Sequence, residues 1–285
     1  MQSPSQLEAI AAKQPNSIEI NQALAEAYAK EERWEEAIKA YQTVIGLYPA
    51  IAALNVNRIR LGTVALGISS VLFLTTEILR PSLSMVDTPI GAAEYMSSPA
   101  LAVSNILFLP ILILLACAAI SIYKLLSTSS DNRLAFWAMV SVIVGAGLSL
   151  PFFGIKAVVL PAAAQSYVNG NTSALGVYDM AFQQPLAFVF TLGGFLLFVG
   201  LTLFNIVVWS SGYLPKWAST LLWVGWSLFI ITTELPFNFI NEMLWIYVNP
   251  MFFALLITLG GIGLARGVWQ QASIQLQHTH GFHSH

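Results

Sequence analysis

Apolar positions follow two different patterns along this chain. Between Ile18 and Pro49 they recur at spacings of three and four, the period of a helix with one buried face. One such helix is predicted over Ile18–Lys30, with Ile20, Leu24, Ala27 and Tyr28 on a common stripe. A second is predicted over Trp34–Leu47, with Trp34, Ala37, Ile38, Tyr41, Val44 and Ile45 turned inward. From Leu61 onward the apolar residues run on almost without interruption. A membrane span needs about 20 of them, and windows of that kind fall at Leu61–Leu79, Ala100–Tyr123, Leu134–Phe153, Pro185–Trp209, Trp217–Thr233 and Met243–Ala265. Pro110 and Pro250 interrupt two of these, which helices inside a bundle tolerate. The pattern predicts an all-α protein: a polytopic transmembrane bundle of about six spans behind a short N-terminal helical segment. The boundaries expected are 1–52 for that segment, 53–60 for a connector, 61–267 for the bundle and 268–285 for a polar tail.

Composition agrees with this division. Apolar residues make up 56% of the chain and charged residues 9%, against about a quarter charged in soluble domains. The formal net charge is −2 and no dense basic patch occurs, so nucleic acid is not an expected partner. Met1–Pro15 lacks the basic start and apolar run of a signal peptide. The single cysteine, Cys117, excludes an internal disulfide. Lysine and arginine flank the spans unequally: Arg58, Arg60, Lys124, Arg133, Lys216 and Arg266 on one side, Arg80 and Lys156 on the other. Positive-inside counting then puts both termini in the cytoplasm, with a bacterial inner membrane as the default compartment. Two stretches on the far side, Arg80–Pro99 and Gly154–Gln184, are long enough to fold over the bundle. Gly193, Gly194 and Gly200, and again Gly260, Gly263 and Gly267, predict close helix approach.

Within the N-terminal segment, Leu24, Ala25, Tyr28, Ala37, Tyr41, Val44 and Pro49 resemble a tetratricopeptide (TPR) unit in order and spacing. Pro15 precedes Pro49 by one TPR period of about 34 residues. Leu7 and Ile10 stand one period before Tyr41 and Val44. Asn21 occupies the usual tryptophan position, and the glycine usual between the helices is absent from Lys30-Glu31-Glu32-Arg33. The resemblance implies one repeat preceded by half of another. Such units need neighbours to bury their apolar faces, so either a helix over Ala50–Arg60 or a partner's helix must complete the stack. It also implies an inner, partner-binding surface of Glu19, Gln22, Glu26 and Lys30, suited to a peptide with a basic or mixed face. Separately, Trp209–Gly225 is similar to the cytoplasmic hairpin of six-helix bacterial membrane proteins of unknown function.

Ionisable groups inside spans are functional candidates. Glu77, Lys156, Glu234 and Glu242 are expected at one level, with Asn105 and Asn249 a turn or two inside the same leaflet. They either converge on a ligand-binding pocket or reach separately for the headgroups. The four histidines all lie in the tail. His278, His280, His283 and His285 could ligate a divalent metal, or form only a flexible polar end; no other cofactor is expected. No span offers a histidine or a pair of aspartates, and no phosphate-binding loop occurs. The expectation is a non-catalytic membrane protein that binds or assembles a protein partner through its N-terminal segment, as an accessory subunit of a complex. A small-molecule or lipid transporter or receptor using the outer polar groups is the alternative.

Overall fold

A computed structural model of the chain describes residues 3–80, 89–126, 132–174, 176, 186–212, 214–234 and 250–281. The described elements are helical: α1 (Pro4–Lys13), α2 (Ile18–Lys30), α3 (Trp34–Leu79), α4 (Pro89–Ser97), α5 (Pro99–Leu126), α6 (Asn132–Val168), a short 3-10 turn (Thr172–Ala174), α7 (Leu186–Ser211), α8 (Lys216–Glu234) and α9 (Pro250–Gly281). Two compact units result: Met1–Arg58 with Ala272–His285, and Ile59–Gln271.

In the first unit, local chemistry sets the helix ends. Pro4 starts α1, where its missing N–H costs nothing. Ser17 caps α2 by accepting a hydrogen bond from the Ile20 N–H at 3.3 Å. The Asn21 side chain donates to the Ser17 and Pro15 carbonyls at 2.8 and 3.0 Å, so this buried amide fixes the entry turn. Helix α2 ends in a Schellman motif, with Glu32 N–H bonded to the Ala29 carbonyl and Arg33 N–H to the Tyr28 carbonyl. Glu32 takes the left-handed position at φ 61° that glycine would normally occupy.

The core of this unit joins Leu7, Leu24, Ala25, Tyr28, Ala37 and Ala40. That corrects the expected face of the third helix. Ala37, Ala40 and Val44 are buried, whereas Trp34, Ile38 and Tyr41 are 61%, 56% and 41% exposed. Alanines allow the helix backbones to approach closely, and the bulkier stripe beside them is left outside.

The second unit is a ring of antiparallel helices. Close approaches between α3 and α5 run from Gly62 against Ser121 to Ser104 Oγ donating to the Thr76 carbonyl at 3.1 Å. Phe108 of α5 stacks on Phe153 of α6 at 4.4 Å. Helices α6 and α7 touch through Gly145, Gly193 and Gly200, the last facing Val142 and Ala138. Between α7 and α8, Ser219 donates to Asn205 at 2.7 Å, Trp223 to Thr202 at 2.9 Å and Trp209 to Thr220 at 3.0 Å. Gly225 and Gly260 bring α8 and α9 together; a Cβ on Gly260 would lie 2.3 Å from the Leu222 nitrogen. Thr258 of α9 donates to the Ser70 carbonyl of α3 at 2.9 Å, closing the ring. At each seam, numbers rising along one helix meet numbers falling along its neighbour. Such small-residue contacts and polar cross-links take the place of a hydrophobic drive between helices in lipid.

Phe73, fully buried, packs its ring against Phe108, Trp226 and Phe229 with centroids 5.0–5.5 Å apart. Aromatic pairs in such geometry contribute about 0.5–1.5 kcal/mol beyond area burial. Outward-facing positions include large apolar residues, among them Ile106, Ile113 and Ile120 of α5 and Phe188 and Phe195 of α7.

Among the described residues, five helices are long and apolar enough to cross a membrane: Val56–Leu79, Pro99–Leu126, Arg133–Val168, Leu186–Ser211 and Met251–Ile274. The protein is therefore an integral membrane protein with a helical bundle. Helix α8 has 19 residues, and its tryptophans, serines and threonines make it less apolar than those five. Helix α6 departs from the sequence reading. It does not stop at Phe153 but continues through Pro151 and Pro161 to Val168, a length of about 55 Å at 1.5 Å per residue. Gly170, at φ 95°, then ends it. Helix α4 and the 3-10 turn both pack on α6, so ordered structure replaces parts of the two long loops. Pro250 is the first described residue of α9; residues 243–249 of the expected sixth span lie outside the described residues.

Candidate functional site

Two regions carry the candidate residues, and each is built differently. On α2, Glu19, Gln22, Glu26 and Lys30 are all exposed, and Gln22 Nε2 donates to Glu26 Oε1 at 3.2 Å across one helical turn. Arg33 closes the end of this helix. It donates to Glu36 Oε1 through Nε and Nη2 at 3.1 and 3.0 Å, and its guanidinium lies 4.5 Å from the centre of the Tyr28 ring. The pair raises the Arg33 pKa, chiefly through the hydrogen bond to Glu36. The Glu36 pKa is lowered, by a backbone hydrogen bond first and then by Arg33. Tyr28 donates to Glu8. Burial, then that bond, pushes its phenol up to about 12.

The next helix presents Trp34, Ile38 and Tyr41 at spacings of four and three, on a face separate from the buried Ala37, Ala40 and Val44. Large aromatics in that position are costly to leave uncovered. Sequence reasoning named these residues but assigned them to the core.

At the other polar cluster, Glu77 does not reach for the headgroups. Its side chain is 2% exposed and pairs with Arg80 Nη2 at 3.1 Å. Among the described residues, no well-oriented hydrogen bond reaches either Glu77 oxygen or Arg80 Nε. Tyr95 of α4 lies close enough to feel both charges. Burial raises its phenol pKa, with Arg80 opposing. Asn105 is buried and donates to the Lys156 carbonyl at 3.4 Å, while its neighbour Ser104 bonds to the carbonyl beside Glu77. The Lys156 ammonium lies 4.5 Å from the Phe152 ring centre and 6.0 Å from that of Phe190. Thus the structure draws Asn105 to α6 and pairs Glu77 with Arg80, the residue just past the end of its own helix. Arg80, three residues on, is the ion-pair partner that sequence reasoning missed, although the i,i+3 spacing could have revealed it.

Glu234 ends α8, but its side chain lies outside the described residues, as do Glu242 and Asn249. His278 and His280 fall on α9; their side chains, and His283 and His285 entirely, are likewise outside them. Among the described residues, no group of three or more histidine, cysteine, aspartate or glutamate side chains is placed to hold a metal ion.

These features define a polytopic α-helical membrane protein with a small helical unit at its N-terminal end. In comparisons with known proteins, no family model, no curated protein and no solved structure matched the chain.

Proposed function

We propose that this chain is a non-catalytic binding or assembly protein, an accessory subunit of a membrane complex, that holds a partner protein through a TPR-like N-terminal unit. In this reading the six helices of the ring all span a bacterial inner membrane, with α8 as the shortest span. Both termini are cytoplasmic. The arginine and lysine bias supports that orientation, and α8 is packed on both sides, by α7 and α9, like its neighbours.

The observation that carries the proposal is the exposed stripe Trp34–Ile38–Tyr41. Covering it would remove a few hundred Å² of apolar surface from water, on the order of 5 kcal/mol before association costs. Aromatic anchors of this kind dominate protein interfaces. The mixed polar surface of Glu19, Gln22, Glu26 and Lys30 on α2 suits an amphipathic helix with a basic or mixed polar face.

The test is purification of the full chain from its native membrane in mild detergent, alongside Trp34→Glu/Ile38→Glu. A stoichiometric companion with the parent chain, lost in the variant at equal yield, is the expected result. A parent chain that emerges alone, in the same state as the variant, overturns the proposal.

A further inference from the structure

At the end of the bundle where α8 begins and α9 leaves the membrane, a groove of about 620 Å³ opens between them. Its walls include Leu259 and Ile262 at one end, and Arg266 and Gln270 at the other, with Trp217 alongside. Gly263 and Gly267 form its floor. A Cβ on Gly263 would meet the Trp217 ring at 2.4 Å, and one on Gly267 would meet the Pro215 ring at 2.3 Å. At these two glycines the indole and the proline ring lie directly against α9.

Arg266 lies towards the C-terminal end of the candidate span Met251–Ile274, at the level where a flanking arginine meets lipid headgroups. Neither flanking helix supplies a counter-ion nearby. No aspartate or glutamate occurs between Leu214 and Thr233, or anywhere in Pro250–Gly281. Arg266 is exposed and makes no ion pair among the described residues. Lys216, the other cation at this turn, is engaged with the Trp209 ring at 5.3 Å. The groove therefore combines a guanidinium with no ion pair among the described residues, an amide donor, an interfacial indole and an apolar lower wall. A guanidinium binds phosphate oxygens in bidentate fashion, and a volume of this size accommodates a small ligand.

From this charge and depth we infer that the groove is a binding site for an anionic phospholipid. The phosphodiester sits on Arg266 and Gln270, and an acyl chain lies along Leu259 and Ile262 beside Trp217. The inference requires only that α9 crosses the membrane and is independent of the protein-binding role proposed above.

The full chain is reconstituted in vesicles of phosphatidylglycerol and phosphatidylcholine, extracted in mild detergent and weighed intact by native mass spectrometry. The parent chain is expected to retain phosphatidylglycerol in preference to phosphatidylcholine, and Arg266→Gln to lose about tenfold of that retention, as for one charge-assisted hydrogen bond. Arg133→Gln, an exposed cation at the same end of the bundle but outside the groove, is expected to keep it. Inorganic phosphate at millimolar concentration is expected not to displace the lipid, which separates a lipid site from a free-phosphate site. Lack of preference in the parent chain overturns the inference even if Arg266→Gln fails to fold. So does displacement by phosphate, or an equal loss in Arg266→Gln and Arg133→Gln.

Discussion

Ile38 in the N-terminal unit and Ile113 in the bundle are almost equally exposed, at 56% and 54%, yet the two exposures mean different things. Ile113 sits in the middle of α5, a helix apolar enough to cross a membrane, where an outward isoleucine meets hydrocarbon and costs nothing. Ile38 lies outside every spanning segment, beside Trp34 and Tyr41. There the same surface is a liability unless something covers it. The interiors differ in the opposite sense. The bundle buries large aromatics around Phe73 and keeps its smallest residues for helix seams. In the N-terminal unit the first stretch of α3 buries Ala37, Ala40 and Val44 and leaves Trp34, Ile38 and Tyr41 outside. Exposure therefore has to be read against the solvent that each region meets.

The largest expected effect comes from removing Arg80. Its partner Glu77 is almost wholly enclosed, and stripping one member from a buried ion pair typically costs about 3–5 kcal/mol. Arg80→Met should lower the thermal midpoint of the detergent-solubilised chain by a correspondingly large step. Glu77→Gln/Arg80→Met, which removes both charges, should recover most of the loss. An unchanged midpoint in Arg80→Met would mean that water reaches the pair and that this end of the bundle behaves as surface.

Next in size is the contrast between the two isoleucines themselves. Aspartate at the centre of a spanning helix costs roughly 2.5–3.5 kcal/mol, so Ile113→Asp should sharply reduce membrane insertion or bundle stability. Ile38→Asp, at matched exposure, should fall within about 0.5 kcal/mol of the parent, as surface changes generally do. Insertion assays and thermal melts on both variants measure the difference. Equal penalties would remove the distinction between lipid-facing and water-facing surface.

Much of this architecture was legible because hydrocarbon imposes a blunt rule. Uninterrupted apolar runs located α3, α5, α7 and α9, and the glycines Gly193, Gly200, Gly260, Gly263 and Gly267 do lie at helix seams. What was missed has physical causes. The periodicity of Trp34–Ile45 contains two adjacent stripes, and hydrophobicity ranks tryptophan and tyrosine above alanine. Close helix approach selects the alanines instead. Lys156 and Pro161 look like loop residues, yet α6 carries both, because neighbouring helices tolerate a missing N–H and Lys156 lies over aromatic rings. Glu77 was recognised as unusual, but its partner Arg80 was counted only as a flanking charge. The cross-links from Asn205, Thr202 and Thr220 escaped notice because single polar residues in a span carry no periodic signal.

The smallest effect concerns the one position where the N-terminal unit departs from ordinary helix-ending chemistry. Glu32 occupies a left-handed conformation, which costs a side-chain-bearing residue roughly 1–2 kcal/mol. The structure pays this because the Schellman hydrogen bonds from Glu32 and Arg33 turn the chain directly into the next helix. Glycine removes the steric cost but makes the unfolded chain more flexible. The net gain for Glu32→Gly should therefore be about 0.5–1 kcal/mol. Glu32 makes none of the unit's ion pairs among the described residues, so no electrostatic loss offsets it. The gain should be confined to the N-terminal unit: hydrogen exchange of the Leu24–Tyr28 amides should slow by a few-fold, while amides around Phe73 keep their rates. Faster exchange at Leu24–Tyr28 would show that the glutamate side chain stabilises the turn, and that strain at Glu32 is not what limits this unit.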